Sequence, residues 1–179
     1  VPAVEVKPEK VKVIMISEAP PENPLDYFYA SGEPFYLKTT LQAFNDAGIS
    51  VNSIQEILDC GFYLTTAVKC AKNKYGISAE TIKNCSLVLE KELVLFPAVE
   101  VYMLMGDVAI KAFNYMSRRL TGKNTIPSGP TYKIRKEQFF YNGKRVFPSY
   151  VQTGQNYLIE KSKRMMISKD LAEAVKIIK

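Results

Sequence analysis

The chain contains no histidine, and that absence removes more chemistry than any other feature of its composition. No side chain with an unperturbed pKa near neutrality is available for proton transfer, and no imidazole N–H can be offered to a developing oxyanion. Cysteine is scarce as well. Cys60, Cys70 and Cys85 are irregularly spaced, form no CxxC and are too few for a disulfide framework. No run of about 18 uncharged apolar residues occurs, and no basic segment followed by an apolar one opens the chain. The expectation is a soluble cytoplasmic protein with no membrane partner. Neither GxGxxG nor GxxxxGK[ST] is present and the carboxylates are scattered, so nothing points to a nucleotide cofactor or a divalent metal.

The 179 residues, 47% of them apolar, suffice for one well-filled core. Net charge is +6 but unevenly spread: residues 1–110 hold nine Lys/Arg against fourteen Asp/Glu, and residues 111–179 fifteen against four. Such a field draws a polyanion toward whatever surface the second part supplies, nucleic acid above all. The bland alternative is a basic, solvated face.

Residues 1–10, polar and with two prolines, read as an arm, and residues 11–179 as a single domain. A first strand begins at Val11. Helical spacing follows over 36–47 with Gly48 as its stop, then a short helix at 54–58 and a strand at 62–67. Ser78 opens a long helix that ends before Pro97. An apolar run at 99–105 reads as a central parallel strand, with a turn at Gly106 and a helix capped by Asp107 to about Met116. Residues 118–130 read as a loop. Two short strands (131–135 and 139–141), an Asn142-Gly143 turn, a last strand at 144–149 and a helix at 169–178 complete the chain. This order predicts a three-layer α/β/α domain around a mostly parallel four-stranded sheet, expected as a monomer.

The loop after the first strand, SEAPPENPLDYFYASGEPF, joins a carboxylate, Glu18, to prolines and aromatics where open α/β sheets place their chemistry. Glu18 can act chemically there, or cap a loop, or pair with the basic half.

Glu18-Ala19-Pro20 with Gly32-x-Pro34-Phe35 resembles the first motif of the uracil-DNA glycosylase superfamily, in particular its thermostable branch. Leu64 to Cys70 resembles that branch's second strand, Leu104-Met105-Gly106 with Ala109 its third strand and turn, and Ser149-Tyr150 its last motif. The resemblance implies a DNA glycosylase that binds DNA and hydrolyses the N-glycosidic bond of uracil or another deaminated or damaged base. Glu18 would orient water or stabilise an oxocarbenium-like sugar. Phe35 would stack on the base, with Phe28, Tyr27 and Tyr36 as substitutes. Ala19, Pro20, Thr66, Tyr150, Val151 and Gln152 would complete the pocket.

Two positions depart from the family. Thr66 stands where a base-reading Asn is usual, and Val151-Gln152 where a His precedes a Pro. Gln152, Tyr150 and Lys69 are the candidate replacement donors. The segment after the last strand resembles the family's minor-groove loop: Gln155 and Asn156 would meet DNA, Tyr157 or Leu158 would be the wedge, and Lys161, Lys163 and Arg164 would hold phosphates. Arg118, Arg119 and Lys123 form a second candidate patch. The branch often carries an iron-sulfur cluster, but only Cys70 and Cys85 match its four cysteines, so no cofactor is expected and these read as buried structural thiols. A non-catalytic DNA- or RNA-binding protein on the same fold is the alternative, and an enzyme acting on nucleotides or nucleosides a third reading.

Overall fold

A computed structural model describes residues 4–71 and 76–179; the start of the expected arm, residues 1–3, lies outside them. Five strands form one sheet in the order β2-β1-β3-β5-β4, with β1 Val13–Ser17, β2 Phe62–Thr66, β3 Val101–Met105, β4 Phe139–Tyr141 and β5 Lys144–Ser149. The first three and β5 are parallel, and β4 runs antiparallel at the edge. The sheet therefore has five strands and not the expected four, because the short strand predicted at 139–141 joins it as an antiparallel edge through a tight hairpin to β5. Asn142 (φ 49°) and Gly143 (φ 76°) both take the left-handed conformation that such a two-residue turn requires.

Apolar residues explain the layering. Along β1, Ile14 and Ile16 enter one cluster with residues of α3 (Ala79–Leu93) and α4 (Asp107–Thr121). Val13 and Met15 enter the other, with α1 (Phe35–Asp46), α2 (Ile54–Asp59) and the final helix. Every residue of β1 and β3 is buried, as a sheet covered on both faces demands. The three-layer α/β/α architecture is thus the observed one. Among the described residues no helix is long and apolar enough to cross a membrane.

Several boundaries differ from expectation for local reasons. Thr131–Ile134 is a short helix, α5, and not a strand; Pro130 precedes it and its buried Thr131 and Ile134 lie three apart on one face. Gly106, at φ 109°, takes the cap position of α4, leaving Asp107 as the first helical residue. That helix runs on to Thr121, so residues 118–121 are helical and not loop. The last helix, α7, spans Lys161–Ile178 and begins eight residues earlier than its apolar period suggests. A further short helix, α6 (Gln155–Ile159), precedes it.

The connections place the site. From β1 the chain crosses one face through α1 and α2 to β2; from β3 it leaves on the opposite face through α4 to β5. The loops leaving the carboxyl ends of β1 and β3 therefore diverge, and a crevice opens between them.

Candidate active site

Glu18 follows directly on β1 and lies in that crevice, half-buried. Its Oε1 is 3.4 Å from the backbone N of Val108, in the first turn of α4, where unpaired N–H groups and the helix dipole favour a carboxylate. Gly106 allows this approach: a Cβ there would stand 2.8 Å from Glu18 Oε1 and 2.6 Å from Val151 Cγ2. Glu18 has no ion-pair partner among the described residues, so the carboxylate does serve a helix end but not a salt bridge.

Phe35 opens α1, with its backbone N 3.4 Å from Asp26 Oδ1, a group reached across the loop because Pro34 at the cap offers no side-chain acceptor. It is half-buried and belongs to neither apolar cluster. Phe28, by contrast, is fully buried in the second cluster and packs at 5.6 Å on Tyr36. Of the two, only Phe35 offers a face that a ligand can reach. Ala19 is buried in the first cluster and Pro20 is half-buried beside it. Burial pushes the Tyr36 hydroxyl up in pKa, the Thr153 side chain opposes this, and the charges of Glu18 and Asp26 add to it.

The end of β2 is tightly held. Thr66 is buried, and the nearby Tyr27 hydroxyl is pushed up in pKa to about 12 by burial and then by Glu92. Lys69 Nζ donates to Thr65 Oγ1 (3.0 Å), to the Thr66 carbonyl (2.7 Å) and to Glu92, which also accepts from Tyr63 (3.0 Å) and Thr65 (2.8 Å). Lys69 is therefore a clamp on this strand end and not a free donor. The Tyr29 hydroxyl donates to the Leu64 carbonyl (2.8 Å) and accepts from the Leu64 N–H (3.1 Å), closing the exposed edge of β2 and pinning the long loop.

Beyond β5, Val151 contacts the Glu18 side of the crevice and Gln152 is completely buried. Ser17 Oγ donates to Gln152 Oε1 at 3.1 Å, whereas Gln152 Nε2 is buried with no partner. Tyr150 and Lys163, whose Nζ lies 5.5 Å from the Tyr150 ring, line a cleft of about 210 Å³ with Glu18, Asp107 and Asn156. Hollows of about 540 and 550 Å³ lie at the opposite, amino ends of the strands, away from these groups.

The predicted nucleic-acid contacts divide. Tyr157 is 2% exposed, and its hydroxyl donates to Asp46 at 2.7 Å, so it is a core residue and not a wedge. Leu158 is 45% exposed and its neighbour Ile159 71%, which leaves these two as the protruding apolar pair. Arg164 is committed to Asp46 (2.7 Å) and Lys163 to Glu160 (2.6 Å). Lys161, Gln155 and Asn156 are exposed. Arg118 (bonded to Asn124 at 3.0 Å), Arg119 (paired with Glu90) and Lys123 sit at the far end of α4, about 16 Å along the helix from Glu18 at 1.5 Å per residue, and are not part of this site. Sequence reasoning missed Ser17, Asp26 and the clamp residue Glu92. The signal for Ser17 was its place as the last strand residue before Glu18.

Residues 4–174 match the family model described as the Uracil DNA glycosylase superfamily. The chain belongs to that superfamily. It is also 29% identical, over 117 residues, to the Type-5 uracil-DNA glycosylase of Thermus thermophilus, covering 65% of this chain and 51% of that protein. The chain thus spans about half the length of the curated relative it matches. Cys60 and Cys70, near opposite ends of β2, are exposed and Cys85 is half-buried, so the first two are not the buried thiols the sequence suggests.

Proposed function

We propose that this superfamily member is a DNA glycosylase that hydrolyses the N-glycosidic bond of a deaminated base. The observation that carries the reading is Glu18, a half-buried carboxylate without an ion-pair partner among the described residues, held at the β1/β3 crevice against the bare α-carbon of Gly106. In the reaction the C1′–N bond breaks with its electron pair leaving on the base. Water adds to C1′, and its proton passes to the departing base. Glu18 would orient that water and stabilise the cationic sugar, Phe35 would stack on the flipped base, and Leu158 with Ile159 would fill the space it leaves.

Single-turnover release of free base from duplexes carrying uracil, hypoxanthine or xanthine tests this. Glu18→Gln should lower release by at least about 100-fold while duplex affinity changes little; equal release by the variant would sink the assignment. The absence of imidazole favours one second reading, a DNA-binding protein that does not excise. Salt-sensitive binding with no release by the wild type would establish it.

A further inference from the structure

We propose that Gln152 reads the base, and that Ser17 sets the polarity with which it does so. This rests on the glycosylase reading and deepens it. Gln152 is wholly buried just beyond β5, with its amide oxygen bonded to Ser17, the last residue of β1 and the neighbour of Glu18. Its neighbour Val151 lies against Gly106, where Glu18 also sits. A buried amide nitrogen without a partner costs stability, so its retention calls for a ligand that satisfies it.

The polarity follows from one hydrogen bond. Ser17 Oγ donates to Gln152 Oε1 at 3.1 Å, inside the protein, which engages the amide's acceptor and leaves its two N–H groups. The free end of this side chain is a donor and nothing else. Deamination of a nucleobase replaces an exocyclic amino group, a donor, with a carbonyl, an acceptor. Gln152 facing a carbonyl makes a hydrogen bond; facing an amino group it leaves two buried donors opposed. The pair discriminates deaminated bases as a class, uracil from cytosine and hypoxanthine from adenine, without the bidentate amide that Thr66 has replaced. Gln152 is then the contact residue and Ser17 a positioning residue that acts through it.

The test measures affinity and single-turnover release with matched oligonucleotides, uracil against cytosine and hypoxanthine against adenine. Affinity is read on 2′-fluoro versions that resist hydrolysis, so recognition is seen apart from chemistry. Wild type should prefer the carbonyl base of each pair by about tenfold or more. Gln152→Met should lose about 10- to 100-fold in carbonyl-base affinity with an unchanged or raised unfolding temperature, since it removes an unsatisfied group. Ser17→Ala, which frees the amide to rotate, should narrow the carbonyl-to-amino ratio by about tenfold. An unchanged ratio in both variants would overturn the proposal. So would a wild-type preference for amino bases, which would mean the amide lies the other way round. A wild type that discriminates but releases no base would uphold this inference while the excision reading fails.

Discussion

At Gly106 two demands coincide in one residue. Its backbone lies at φ 109°, where side chains are strained, and the space a Cβ would fill is occupied by Val151 and Glu18. Gly106→Ala should therefore cost about 1–3 kcal/mol in unfolding free energy and displace the carboxylate, with base release falling well beyond the loss of folded protein. Thermal unfolding and single-turnover rates measured together will show both. The two phenylalanines of the long loop make a second contrast. Phe35→Ala should weaken substrate affinity by about 1–3 kcal/mol with little change in unfolding temperature, because Phe35 lies outside both clusters. Phe28→Ala should cost about 3–5 kcal/mol of stability, because Phe28 is fully buried. Residue type and order pointed to Glu18, and the family resemblance to Phe35. The difference between Phe28 and Phe35 was not legible, since it depends on which ring the folded loop turns inward.

Between elements, Asp46 joins three helices. It ends α1 and accepts from Tyr157 on α6 (2.7 Å) and Arg164 on α7 (2.7 Å). Burial alone would raise its pKa, but the bonds from Arg164, Tyr157 and Gln42 outweigh it and hold the carboxyl below its ordinary 3.8. Because the folded pKa is the lower one, the unfolded chain binds more protons between the two values. The contribution is complete above the ordinary carboxylate range and is lost as pH falls through the folded value. Asp46→Asn should lower stability at pH 7 by about 1–3 kcal/mol and flatten the loss below about pH 4, as read by denaturant titration across pH. Helix existence was legible from apolar periods at α1 and α3 and from the Gly106-Asp107 turn at α4. The start of α7 was not: its first turn is basic, and Lys163 and Arg164 are held there by Glu160 and Asp46.

Over the whole molecule, the basic second part is less available to a polyanion than its formal charge suggests. Arg119, Arg135, Lys163 and Arg164 are each paired with a carboxylate. Lys161, exposed at the start of α7 and without an ion-pair partner among the described residues, is the better candidate for a phosphate contact. Lys161→Ala should reduce the slope of log affinity against log salt by about one. Arg119→Ala should leave that slope unchanged and loosen α3 from α4, which fluorescence anisotropy at several salt concentrations and a melting curve will separate.

Chain-local information determined the layered architecture, the parallel strands and the loop that carries Glu18 and Phe35, because apolar period, glycine placement and residue order act over a few positions. Tertiary structure alone decided which groups that loop meets. The bare α-carbon of Gly106 beneath Glu18, the clamp of Glu92 on Lys69, and the Ser17 hydroxyl turned to Gln152 join residues 88, 23 and 135 positions apart. No local signal spans such distances; only the order of strands in the sheet brings their carboxyl ends together.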